Sequence, residues 1–122
     1  MTDFTYLTYL LRTPGGHEDH RRKIIDITPR IKHFKIYQEI PLGNHYHKRM
    51  SEMFHVTQGE FNIQFEDLNT GERAAYSVRP GDSVGVPLDV AYKVLAKPGT
   101  EFLNICDIDF DGTDLHQYEI NW

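Results

Sequence analysis

The chain has 122 residues, of which 39% are hydrophobic and 12% aromatic, with a formal net charge of −5. That length suits one domain able to bury a core without disulfides, and the lone Cys106 excludes an internal disulfide and suits a reducing compartment. An acidic chain with no basic stripe has little to neutralise phosphates with, so a nucleic-acid partner is not expected.

In chain order, the opening MTDFTYLTYLLR carries neither a basic n-region nor a clean apolar h-region. No stretch approaches the roughly 18 apolar residues of a spanning helix, so a cytosolic protein without a membrane partner is expected. Residues 13–22 (TPGGHEDHRR) read as a loop, and the basic run HRRK at 20–23, behind Glu18 and Asp19, reads as solvated. Residues 1–30 thus form an N-terminal arm ahead of a core over about 31–110. Residues 31–40 read as a mixed strand stopped by Pro41 and Gly43, and 51–58 as a strand closed by Gly59.

Residues 61–66 (FNIQFE) alternate strictly, with Phe61, Ile63 and Phe65 on one face and Asn62 and Gln64 on the other. An inward Gln64 could reach a ligand; an outward one would meet solvent. Residues 67–71 (DLNTG) are a hairpin turn and 73–79 its return strand. A turn at 79–82 leads into a short strand ended by Pro87, and strands over 92–96 and 100–110 flank the turn Lys97-Pro98-Gly99. Residues 111–122 read as a C-terminal tail whose aromatic anchors pack over one sheet. Many short strands closed by turn residues predict an all-β antiparallel sandwich or barrel.

The stretch 42–61, LGNHYHKRMSEMFHVTQGEF, holds three of the seven histidines. On a strand, His45 and His47 project from the same side about 6.5 Å apart at roughly 3.3 Å per residue, close enough for both imidazoles to reach one point. A bend between Lys48 and Ser51 would bring the Glu52 carboxylate to them. Two imidazoles and one carboxylate are a donor set for divalent first-row metals; with open positions it suits Fe(II), while Zn, Mn and Ni also accept it.

With its glycines, this pattern resembles the cupin superfamily. His45-Tyr46-His47, four residues, Glu52, six residues, Gly59 match the first cupin motif. Gly81, five residues, Pro87 match half of the second, with Asp89 where a glycine and Tyr92 where a histidine would stand. The resemblance implies one RmlC-like jelly-roll cupin domain, a small double-stranded β-helix, over 1–122. It carries His45, His47 and Glu52 over as metal ligands. Tyr92 is left as a ligand, an acid or base, or a packing residue. GNHYHK at 43–48 and the acidic, Tyr-bearing tail are similar to the WxcM-like sugar-nucleotide 3,4-ketoisomerases and to the cupin domain of capsule-synthesis reductases. In the ketoisomerases the paired histidines are taken as a metal-free acid and base; Glu52 points instead to a metal site, as in the reductase domain.

The expected function is therefore a metal-binding cupin acting on a small polar molecule, an isomerase or epimerase of a sugar or keto sugar, with a sugar nucleotide as one candidate substrate. His45, His47 and Tyr92 are its candidate catalytic residues. Two alternatives stand beside it: a non-haem iron dioxygenase, and a non-catalytic sugar- or metal-binding module. A homodimer is expected, since small cupin barrels with aromatic terminal segments (Phe4, Tyr6, Tyr9, Tyr118, Trp122) have surfaces for it. His55, three residues after Glu52, should face away from the site; His17 and His20 read as solvated, His33 and His116 carry no pattern, and Cys106 reads as a small buried hydrophobe.

Overall fold

The short alternating segments pair into two antiparallel sheets. The computed structural model describes residues 15–122. In chain order its strands are β1 (Gly15–Glu18), β2 (Arg22–Thr28), β3 (Ile31–Ile36), β4 (Leu42–Tyr46), β5 (Glu52–Gln58), β6 (Phe61–Asp67), β7 (Arg73–Val78), β8 (Ser83–Val86), β9 (Val90–Ala96), β10 (Glu101–Cys106) and β11 (His116–Gln117), with a 3-10 turn over Gly112–Asp114. One sheet runs β1-β2-β3-β10-β5-β8 and the other β11-β4-β9-β6-β7. They face each other across one core as a jelly-roll barrel. Among the described residues no helix is long and apolar enough to cross a membrane.

Alternation decides what the core contains. Phe61, Ile63 and Phe65 of β6 turn inward with Phe54, Val56, Val94 and Phe102, all buried. Phe34 stacks on Phe102 at 4.8 Å between centroids, and Phe54 meets Phe61 and Phe102 edge-on at 6.0 and 5.6 Å. Such offset and edge contacts suit ring quadrupoles better than a face-to-face sandwich.

Several boundaries differ from the sequence reading. Within 13–22, Gly15–Glu18 is a strand, paired from Gly15↔Asp26 to Glu18↔Lys23. The reason is local. Asp19 accepts backbone N–H bonds from Arg21 (2.8 Å) and Arg22 (3.1 Å), closing a turn that folds β1 onto β2. Residues 15–28 of the arm are thus part of the six-stranded sheet, and Arg22 of the supposedly solvated basic run starts a strand. β3 ends at Ile36 rather than at 40, where the backbone N–H groups of Tyr37 and Gln38 turn to the Arg21 carbonyl. β10 ends at Cys106 rather than at 110: the Asp107 N–H still meets the Ser51 carbonyl in register, but the returning Ser51 N–H is taken by the Asp107 side chain (2.9 Å) instead of its backbone. Residues 1–14, with Phe4, Tyr6, Tyr9 and the opening segment, lie outside the described residues.

The tail covers the outer face of the five-stranded sheet. β11 pairs with β4, Gln64 donates to the Trp122 carbonyl, Lys93 donates to the Ile120 carbonyl (3.0 Å), and Tyr118 donates to Glu66. Gln64 is therefore an outward residue held by the tail, not a ligand-facing one.

Candidate metal centre

The site begins with a bulge. Between Gly43 and His45 the β4–β9 register shifts, so that His45 lies opposite Tyr92, while Asn44 takes a left-handed backbone with φ 56°. Asn44 is held there: its side-chain oxygen accepts from the Ile120 N–H (2.9 Å) and its carbonyl from the Tyr118 N–H (2.9 Å). Gly43 has φ 95°, and a Cβ there would stand 2.7 Å from the Tyr92 carbonyl oxygen and 3.0 Å from its ring. Only glycine lets β4 approach the tyrosine this closely.

The three predicted ligands converge. His45, His47 and Glu52 each offer a donor atom, and all three atoms lie within 4.8 Å of one another. His47 is 3% and Glu52 7% exposed. The His47 Nδ1–H donates to the Asp114 carbonyl at 2.9 Å. A carbonyl can only accept, so the proton of the neutral ring sits on Nδ1 and the Nε2 lone pair is left facing the site. That lone pair lies 3.7 Å from Glu52 Oε1. The other carboxylate oxygen, Oε2, accepts from the Asn104 side-chain amide at 2.8 Å, whereas Oε1 is buried with no hydrogen-bond partner. A buried carboxylate oxygen and an imidazole nitrogen thus address one point, and a divalent cation placed there would satisfy both.

His45 completes the set. Burial, with neighbouring His47 adding to it, pulls its pKa down to about 4 against a hydrogen bond to the Gly43 backbone, so the ring is neutral at neutral pH. Its Nε2 lies 3.0 Å from the Tyr92 hydroxyl. Burial, then the charge of Glu52, hold the Tyr92 pKa well above the ordinary phenol value. Tyr92 is therefore a protonated phenol that donates to His45, and a metal taking the His45 lone pair would release this hydroxyl into the cavity.

The bend before Glu52 has its own support. The Asp114 carboxylate accepts from the backbone N–H groups of Lys48 (2.9 Å), Arg49 (3.0 Å) and Met50 (3.1 Å). Burial works to raise its pKa, but these amides and Arg49 outweigh that and hold it below the usual value. One residue thus clamps the connection between His47 and Glu52 and, through its carbonyl, orients His47. Sequence reading missed Asp114, because the residues it clamps lie about 65 positions earlier in the chain. Asn104 was findable: it alternates with Phe102 and Cys106 on the inward face of β10.

The second-motif position Asp89 keeps the backbone a glycine would have, φ 60°, and its N–H donates to the His47 carbonyl at 2.9 Å. Gly59 of the first motif packs on Thr100, where a Cβ would fall 2.5 Å from the hydroxyl. The other histidines lie elsewhere: His55 bonds Ser83 (2.7 Å), His33 approaches Glu101 (3.2 Å), His17 pairs with Asp19 (2.8 Å), and His116 stacks on Tyr46. Cys106 is 5% exposed, and burial pushes its thiol up to about 11, an inert state. A cavity of about 360 Å³ opens on the site, with His47, Glu52 and Tyr92 in its buried part and Arg22, Lys32 and Phe110 nearer solvent.

No family model matches the chain, and no curated protein matches it in sequence. Solved structures share its fold. The capsular polysaccharide assembling protein CapF of Staphylococcus aureus superposes on 97% of this chain with a TM-score of 0.78 at 21% identity, and 34% of that protein is covered. A variant of Bacillus subtilis oxalate decarboxylase superposes on 84% with a TM-score of 0.71 at 18% identity, with 30% of it covered. The cupin domain of Drosophila melanogaster CENP-C superposes on 75% with a TM-score of 0.65 at 11% identity, with 74% of it covered. The chain spans about a third of the length of CapF and of the decarboxylase. At these identities the likeness is one of fold, and the fold is the cupin jelly roll.

Proposed function

We propose that the chain is a metal-dependent cupin enzyme that moves a proton beside the carbonyl of a small polar molecule, a keto sugar either free or nucleotide-linked. The observation that carries the reading is Glu52 Oε1, buried without a partner and aimed with His47 Nε2 at one point. His45, His47 and Glu52 would hold the ion, and Fe, Zn, Mn or Ni bound there would supply Lewis-acid polarisation of a carbonyl oxygen. Tyr92 carries the proton: its hydroxyl is protonated, buried, and directed at the His45 position. Asp114 orients His47 through its carbonyl, and Phe54 and Phe102 supply apolar wall to the cavity. The fold shared with CapF, a protein of capsular polysaccharide assembly, favours a sugar over other carbonyl compounds.

The test is deuterium incorporation next to the carbonyl, followed by NMR in D2O over a panel of free and nucleotide-linked keto sugars. The metal-loaded parent is expected to exchange at least one of them, and His47→Ala, still folded, to exchange none. The two-histidine, one-carboxylate set also suits an iron oxygenase, and oxygen uptake without exchange would select that reading. Ligand binding without either reaction would select a binding module. We propose, finally, that the protein works as a homodimer; a sedimentation mass of one chain at micromolar concentration would remove that part.

A further inference from the structure

The cavity has a second polar feature that the metal reading does not use. Arg22 and Lys32 line it from β2 and β3, on the same inward faces as Ile24 and Phe34. Asp19 engages Arg21 through both the guanidinium and the backbone, so that cation is already spoken for. Arg22 differs: its Nε is buried and has no hydrogen-bond partner among the described residues. Lys32 lies over the Phe110 ring, 4.1 Å from its centroid, and is the cross-strand neighbour of Asn104, the residue that holds Glu52. Neither Arg22 nor Lys32 forms an ion pair among the described residues, although the chain as a whole is acidic.

A buried guanidinium N–H without an acceptor is costly, and a strand that merely needed a solvated cation would turn it outward. The arginine fork presents parallel donors that match a carboxylate or phosphate, and a nearby ammonium adds charge without geometry. We propose that this end of the cavity binds an oxyanion, so that the substrate is a small anionic molecule anchored on Arg22 and Lys32 with its reacting end toward His45, His47 and Glu52. The inference deepens the function proposed above and rests on it for the position of the reacting end. The anchoring itself needs no metal. Within about 360 Å³ the anionic group is the carboxylate of an acidic keto sugar, or the phosphate of a phosphorylated or nucleotide-linked one.

Calorimetric titration of malonate, inorganic phosphate and the neutral malonamide tests this on the full chain, both loaded with zinc and stripped by chelator. Malonate or phosphate is expected to bind the parent in both forms and malonamide to give no heat; the tighter anion names the source. Arg22→Gln should weaken anion binding at least about tenfold, the loss of one charge-assisted hydrogen bond. Lys32→Gln should weaken it by about threefold or more, and it carries the test if Arg22→Gln does not fold. Anion binding that is absent from the parent, or as tight in both folded variants, overturns the proposal. Zinc uptake without anion binding would overturn it while sparing the metal reading. Anion binding lost in Arg22→Gln without zinc uptake would do the reverse.

Discussion

The inner face of the barrel has two ends that are buried alike and built on opposite logic. At one end Val56, Ile63 and Ala96 are 0% exposed and Phe61 and Phe102 1%. At the other, His47 and Asp114 are 3%, Asn104 6% and Glu52 7% exposed. The same strands supply both: β5 passes from Glu52 to Phe54 and Val56, β9 from Tyr92 to Val94, and β10 from Asn104 to Phe102. The apolar end satisfies itself by contact. The polar end satisfies nearly every donor and acceptor, through Asp114, Asn104 and Tyr92, and leaves one carboxylate oxygen open. Leaving such a group buried and unpaired costs about 1–3 kcal/mol or more, so that open carboxylate is not there to hold the fold together.

If that division is right, substitutions at the two ends should separate stability from metal binding. The largest stability effect belongs to Phe102→Ala, about 3–5 kcal/mol in denaturant unfolding, with metal uptake per folded chain unchanged. Asp114→Ala should cost about 3 kcal/mol, because three backbone N–H groups lose a buried acceptor, and it should also lower metal affinity as the turn before Glu52 loosens. Glu52→Gln should leave metal-free stability within about 1 kcal/mol of the parent, or raise it, while metal affinity drops by at least about 100-fold. A large loss of metal-free stability in that variant would move Glu52 to the structural side.

The smallest effect is one of pH. His45 accepts a proton near 6.5 in the unfolded chain but only near 4 in the fold. Between those values the unfolded state binds the extra proton, so this group makes stability fall as pH drops from about 6.5 to about 4, with no further change below. Unfolding midpoints at pH 7 and 4.5 should differ less in metal-free His45→Gln than in the metal-free parent.

How much of this was legible in the sequence follows the range of the interactions. The alternation of β6 showed in its strict Phe-x-Ile-x-Phe pattern, with the choice of inward face left open, and the candidate trio His45, His47 and Glu52 showed in its spacing, because both depend on neighbours within a few residues. The β1–β2 hairpin was not visible: RKIIDIT does not alternate, and the turn rests on Asp19 bonding to backbone rather than on a glycine or proline. Arg22 was misplaced for the same reason, since a basic run reads as solvated until the sheet turns one of its members inward. Tyr92 stood out as a departure from a motif, but its contact with His45 depends on a bulge at Gly43 and Asn44 that no periodicity announces.

The central claim is that His45, His47 and Glu52 hold a divalent ion. Elemental analysis of untagged protein purified without chelator, beside Glu52→Ala, tests it most directly. The account predicts about one equivalent of Fe, Mn, Ni or Zn in the parent and little or none in the variant, with both folded. Absence of metal from the parent, even after reconstitution with each ion, would contradict it and leave His45 and His47 as a metal-free acid–base pair or as part of a binding module.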